Sequence, residues 1–250
     1  LVYWGLWEDS KVMNQIIADF NREYPDIKIR YEKQDITRLN DYVERLTTRI
    51  DQGNGPDIYR YHNSWPIQLK GYLAPLPSDV VSSLKLDTQY YDVIKEDISE
   101  NGAFYGVPLQ IDTLALFIND DLFEAGDIAS PPTTWIELTD IAGKLTVQDE
   151  LGAIKTAGVA LGTYDNINHA SDIISLLLIQ NRANIYDLGG PTKQNVVEAL
   201  GPKFYASFAL NDSGGTRTWD RSFEDSKVAF TKGNLGMFFG YSWDIFEIKA

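Results

Sequence analysis

The chain contains no cysteine. That excludes disulfides, thiolate nucleophiles and cysteine-ligated metal sites, and it assigns no compartment. Histidine is almost as scarce: His62 and His169 are the only two, without the spacing of a ligand pair. Each reads as a surface or cleft-rim residue sooner than a metal ligand. Basic residues number 22 against 36 acidic ones, for a net charge of −14. No cluster of Lys and Arg forms the kind of surface that phosphate requires, so nucleic acid is not an expected partner. The acidic excess reads first as solubility, with a cationic ligand as the other reading. Long apolar runs are missing too. The longest aliphatic run, Ile173 to Ile179, is broken by Ser175 and falls far short of the ~20 residues of a membrane span. No basic-then-apolar leader precedes Leu1, which leaves a cytoplasmic protein or an exported one whose signal has been removed. Phosphate-binding loops, dinucleotide fingerprints, HExxH helices and nucleophile elbows are absent as well, so no cofactor is expected.

What is present is ordinary globular composition, 44% hydrophobic and 23% charged over 250 residues, enough for two lobes of about 100–150 residues. The first third alternates strand and helix. Leu1 to Leu6 reads as a strand, and Asp9-Ser10 caps a helix carrying Val12, Met13, Ile16, Ile17 and Phe20. Pro25-Asp26 turns into a strand at Ile27 to Tyr31. A second helix places Tyr42, Val43, Leu46 and Ile50 on one face and closes at Gly53, and Ile58 to Tyr61 is a third strand. This βαβαβ order predicts a mainly parallel sheet covered by helices. Ser64 to Lys70 and Thr88 to Ser99 read as helices, Leu73 to Pro77 as a rigid extended link, and Phe104 to Val107 as strand.

The segment Tyr105 to Phe123 is the most informative. A Gly-Val-Pro turn leads past Asp112 into a strand at Thr113 to Ile118 and then an acid-rich helix start at Asn119-Asp120-Asp121. It suits a crossover between two lobes, and the lobes are expected at 1–116 and 117–250. Beyond it, Thr134-Trp-Ile-Glu137 is a capping box. Gly158 to Leu161 and Leu235 to Gly240 read as strands, and Ala170 to Gln180 and Val196 to Leu210 as helices. Gly201-Pro202 should kink or divide the last of these. Asn211-Asp-Ser213 matches a glycosylation sequon and receives no function.

Four groups pair aromatic with short polar side chains at expected strand ends: Trp7-Glu8-Asp9, His62-Asn63-Ser64-Trp65, Tyr164-Asp165-Asn166 and Tyr241-Ser242-Trp243-Asp244. Ligands of open α/β sheets sit beyond the carboxyl ends of the strands. Flat rings with polar tips beside carboxylates suit a polyhydroxyl ligand such as a sugar. Trp4 reads as core and Trp135 as packing. On the residues alone, Trp7, Trp65 and Trp243 serve equally well as ligand platforms or as structure, and Glu8 and Asp112 as contacts or as solvated loop acids.

The pieces LVYWGLWEDS, FNREYPDIKIRY, QGNGPDIYRY, GYLAPL, YGVPLQIDTLALFINDDLF, PPTTWIEL, SKVAFTKGNLGMFFGYSW and DIFEIKA follow one another in a single order. Together they resemble the family 1 extracellular solute-binding proteins of ABC importers, the maltose-binding-protein-like group, across essentially the whole chain. The resemblance implies an α/β, two-lobed type II periplasmic-binding fold, each lobe a mainly parallel sheet flanked by helices, whose lobes close by hinge rotation on a captured carbohydrate. It implies a soluble monomer that is extracytoplasmic, periplasmic or lipid-anchored at the surface, hands its solute to a membrane permease, and uses no catalysis or cofactor. Carried over by position, Trp7 and Glu8 follow strand one and Asn63, Ser64 and Trp65 follow strand three. Asp112 matches an acidic ligand-contacting position, and Tyr164 lies in a second-lobe loop facing the cleft. Tyr241 and Trp243 fall in a turn whose aromatic stacks on sugar, with Ser242 where the family's motif has proline. Family members continue well past DIFEIKA, so the C-terminal return segments are expected to be missing and both lobes incomplete. Two other readings stand beside this one: a binder of a cationic solute such as a polyamine or betaine, and a carbohydrate hydrolase using Glu8 with Asp112.

Overall fold

The structure is a computed structural model that describes residues 1–183, 196–210 and 216–249. The Asn211-Asp-Ser213 sequon lies outside the described residues. The chain divides into two compact units, Leu1–Ile111 and Asp112–Ala250.

The first unit opens with β1 (Val2–Gly5), α1 (Ser10–Glu23), β2 (Arg30–Lys33), α2 (Leu39–Asp51) and β3 (Ile58–Tyr59). The three strands form a parallel sheet in the order β2-β1-β3, the arrangement that alternating strand and helix demands. The second strand starts at Arg30, three residues later than its alternation suggests. Val2 pairs with Arg30, so Ile27 to Ile29 precede the first rung. Asp9 caps α1 by accepting from Lys11 and Val12 amides. Only Ile17 of its apolar face is buried, while Val12 and Ile16 are 57% and 53% exposed. At the end of α2, Gly53 takes φ +72°. The Gly53 and Asn54 amides bond the Ile50 and Arg49 carbonyls at 2.9 and 3.0 Å, closing the helix with a Schellman motif. The unit's core is Trp4, Leu6, Tyr42, Leu46 and Leu69.

Ser64 to Lys70 is a run of turns, not the expected helix. Pro66 has no amide to donate, and the Leu69 amide to Trp65 carbonyl bond is a single i to i−4 contact. Two short helices follow, α3 (Ser78–Leu84) and α4 (Asp92–Ile98). The second starts late because Tyr91 is extended, at φ −59° and ψ 147°. Then β4 (Ser99–Glu100) and β5 (Ala103–Phe104) form an antiparallel hairpin. Asn101 and Gly102 at its tip hold φ of 53° and 80°, the backbone of a two-residue hairpin turn.

The second unit runs β6 (Ala115–Ile118), α5 (Asp120–Ala125), α6 (Trp135–Leu145), β7 (Val147–Gln148), β8 (Ile154–Val159), α7 (Ala170–Gln180), α8 (Val196–Ser207), α9 (Ser226–Thr231), β9 (Leu235–Gly240) and α10 (Asp244–Ile248). Its sheet has the order β6-β9-β8-β7. This sheet is mixed where a mainly parallel one was expected: parallel pairing is confined to β8 with β9, while β7 returns on β8 as a short hairpin and β6 runs antiparallel to β9. Asn119 caps α5 through the Leu122 amide. Thr134 caps α6 through the Glu137 amide, and the Glu137 carboxylate reaches back to the amide and hydroxyl of Thr133, a variant of the capping box. The strand containing Gly158 begins at Ile154. Gly158 itself lies so close to α6 that a Cβ there would stand 1.9 Å from the Ala142 carbonyl oxygen. The helix through Gly201-Pro202 is continuous from Val196 to Ser207. Proline forfeits one backbone bond there, while Gly201 lets α8 approach Leu177 on α7, where a Cβ would meet backbone at 3.1 Å. A single core centred on Leu161, Ile173, Phe208, Trp219, Leu235 and Phe238 joins sheet and helices. No helix among the described residues is long and apolar enough to cross a membrane.

Candidate functional site

In the first unit, β1 and β3 are parallel, so the chain leaves both at the same edge of the sheet. Gly5 ends β1 where a Cβ would lie 2.1 Å from the Tyr31 hydroxyl. The chain then presents Trp7 and Glu8. Beyond β3, the Arg60 amide extends the ladder by donating to the Trp4 carbonyl at 2.8 Å, and His62, Asn63, Ser64 and Trp65 follow. Trp7, His62 and Trp65 meet one another with ring centroids 5.9–6.4 Å apart. Both tryptophans are half-buried against the unit's core.

The polar residues here are committed to one another. Arg60 Nε lies 2.5 Å from Glu8 Oε1, with the two side chains only 13% and 18% exposed. The Arg60 guanidinium also covers the Trp7 ring at 5.5 Å from its centroid. The other oxygen of Glu8 accepts from the Leu6 amide. Burial first, and then the Glu8 charge, push the Tyr31 phenol up to about 12. Ser64 donates its amide to His62 Nδ1 at 3.2 Å, and Asn63 donates to Asp97 at 2.7 Å. The sequence expectation thus assembles Trp7, Glu8, Ser64 and Trp65 in one place, while Asn63 is turned towards α4.

In the second unit, β6 enters antiparallel to β9 with Ala115 opposite Gly240. Residues 112–114 therefore leave the sheet at the edge where Tyr241 to Trp243 emerge. Tyr241 and Trp243 stack, centroids 4.5 Å apart and planes 20° from parallel, and Trp243 is 43% exposed. His169 stands edge-on to both rings, at 4.7 Å from Tyr241 and 6.3 Å from Trp243. The Tyr241 hydroxyl donates to Asp172 at 3.0 Å. Burial, followed by the Asp172 charge, raises that phenol above its ordinary range.

Two carboxylates hold this turn. Asp112 accepts from the Thr113 amide at 2.7 Å, the Ser242 amide at 3.1 Å and the Ser242 hydroxyl. Partial burial acts to raise its carboxyl, but these bonds and one from the Trp243 amide outweigh it and hold it below the usual carboxylate range. Asp244, 1% exposed, accepts from the Tyr241 amide at 2.8 Å and Lys227 Nζ at 3.2 Å, with His169 Nε2 at 3.5 Å. Tyr164 stands apart in the loop after β8, 61% exposed, and among the described ring contacts it has none.

The aromatic candidates in the two tight clusters were visible in the sequence by position. The sequence singles out neither Arg60 nor Asp172, gives His169 only as a surface or cleft-rim residue, and includes Asp244 in its group without a role. Asp244 directly follows the Tyr241-Ser-Trp triplet, and that adjacency was the available signal. Among the described residues, no group of three or more His, Cys, Asp or Glu is placed to hold a metal ion.

The chain is similar to several known proteins. A maltotriose-binding protein of Pyrococcus abyssi is 23% identical over 54% of this chain and 28% of its own length. The sugar-binding protein MalE of Xanthomonas citri superimposes with a TM-score of 0.72 at 18% identity, over 100% of this chain and 61% of that one. An ABC substrate-binding protein from Listeria monocytogenes in complex with cycloalternan gives 0.68 at 19% identity, over 97% and 61%. The chain thus spans less than two thirds of each of these proteins, and 28–30% of the curated relatives it matches. Their two-lobed α/β fold is the fold of this chain. The family of bacterial extracellular solute-binding proteins matches residues 4–250, and the chain belongs to it.

Proposed function

We propose that this chain recognises a carbohydrate, a mono- or oligosaccharide, and that its protein delivers the sugar to the membrane permease of an ABC importer. The observation that carries the reading is the exposed Trp243 ring stacked on Tyr241 and rimmed by Asp172, His169 and Ser242. A sugar ring offers C–H faces to an aromatic plane and hydroxyls to acceptors at its rim. The relatives point the same way, since the named ligands of several are maltotriose, maltotetraose and cycloalternan. Binding alone is the proposed activity, by a monomer outside the cytoplasm. Sugar contacts would bias the protein's conformational equilibrium without covalent chemistry.

Two details weigh against the other readings. Arg60 already occupies the face of Trp7 and matches the charge of Glu8, so the first unit's cluster has no free aromatic–acid pair for a cationic solute. Glu8 and Asp112 each hold structural partners, which leaves neither as an uncommitted acid for hydrolysis. Titration calorimetry of the full-length protein against maltotriose, maltotetraose, putrescine and glycine betaine tests the proposal. Saturable binding of an oligosaccharide with little salt dependence is expected. Putrescine or betaine binding that weakens steeply with salt would replace the carbohydrate reading, and reducing-sugar release would replace binding by hydrolysis.

A further inference from the structure

We propose that Asp112 is a positioning residue that fixes the Tyr241–Trp243 platform before ligand arrives, and that it does not itself hold the sugar. The inference rests on the carbohydrate reading above for its ligand, and on geometry for the rest. An ionised carboxylate offers about four in-plane acceptor sites. At Asp112 the Thr113 amide bonds Oδ1, while the amide and the hydroxyl of Ser242 both bond Oδ2. With about two acceptor sites per oxygen, Oδ2 is filled, and a sugar hydroxyl could reach it only by displacing a Ser242 donor.

What Asp112 grips matters as much as how fully it is used. Ser242 lies between the two stacked rings, and two consecutive amides, those of Tyr241 and Ser242, are taken by carboxylates. Asp244 takes the first and Asp112 the second, together with the Ser242 hydroxyl. Asp244 belongs to the same turn, whereas Asp112 reaches it from 130 residues away. The antiparallel β6–β9 ladder brings the two segments to one edge. The bond therefore ties the ring-bearing turn to the frame of the sheet. A turn so held presents both rings in one orientation, and binding need not order it.

The test compares Asp112→Asn, Ser242→Ala and the double variant, with far-UV circular dichroism confirming that each folds. Fluorine NMR of protein labelled with 5-fluorotryptophan, the Trp243 signal being assigned through Trp243→Phe, reports the free-state platform. Affinity is measured for the tightest oligosaccharide the wild type binds. Positioning predicts a shifted and broadened Trp243 signal in unliganded Asp112→Asn. It also predicts an affinity loss of roughly tenfold or more, the scale of a hydrogen bond to a charged group. The double variant should bind little worse than Asp112→Asn alone. An unchanged free-state Trp243 signal overturns the proposal, as do losses that add in the double variant, which mark direct contact. If the wild type binds no sugar, the carbohydrate reading fails, and the free-state signal still decides the role of Asp112.

Discussion

Arg60 and Trp7 form a layered contact, with the guanidinium carbon 5.5 Å from the indole centroid and Glu8 ion-paired to the same head group. Removing Arg60 strands a largely buried carboxylate. Arg60→Met should destabilise the protein by about 3 kcal/mol, the scale of breaking a buried pair. Arg60→Met with Glu8→Gln should cost less than Arg60→Met alone, since no orphaned charge remains. Urea unfolding curves of the two variants decide it.

Trp243 and Trp135 should separate binding from stability. Trp243→Ala is expected to weaken oligosaccharide binding by roughly 1–3 kcal/mol, the range for losing an aromatic anchor, with little change in unfolding midpoint. Trp135 packs on Phe204 and Phe239 and donates to Gln180 at 2.7 Å. Trp135→Ala should cost about 3 kcal/mol of stability and leave the affinity of the folded protein unchanged. Equal effects of the two on affinity would remove Trp243 from the site.

Gly158 has no room for a methyl group, because the obstacle is the Ala142 carbonyl on α6, which is backbone and cannot rotate away. Gly158→Ala should push α6 off the sheet at a cost of about 3 kcal/mol or more. Gly143→Ala is the control, since its added Cβ would meet the Thr216 side chain at 3.6 Å, an ordinary contact. Thermal melts of the two should differ by many degrees.

Alkali should destabilise the first unit as its buried tyrosines ionise. Burial pushes Tyr31, Tyr59 and Tyr61 up to about 12 each, whereas unfolded tyrosines ionise near 10. The folded state thus keeps protons that the unfolded state gives up. This contribution to stability is complete below pH 10 and disappears as pH climbs from 10 towards 12. Urea midpoints across that window, read beside tyrosinate absorbance at 295 nm, should fall as the phenols ionise. A flat profile would contradict the burial of these rings.

Local chemistry made much of this fold legible. Thr134 and Glu137 announced a helix start, Gly53 a helix end, and Asp9 a cap, because each acts within a few residues of itself. Long-range effects were opaque. The start of β2 depends on where Val2 finds Arg30, and the continuity of α8 through Pro202 accompanies the close seat of Gly201 on Leu177. The β4–β5 hairpin was legible and missed: Asn101-Gly102 is a strong turn signal between short strands. At the site, the aromatics stood out by position beyond strand ends. Arg60 did not, and the buried role of Asp244 was not legible beside them, since a charged residue reveals its burial only once its counter-charge is in place.

The pairing of β6 with β9 joins the first strand of the second unit to one more than a hundred residues later. Contacts so distant in sequence form slowly, because a long loop must close before they repay its entropy. The ring-bearing turn is therefore expected to assemble late in this unit. During refolding, recovery of sugar affinity should trail recovery of helical signal. A cut in the loop between the two strands, made before refolding, should then slow the return of the Tyr241–Trp243 stack more than that of the helices.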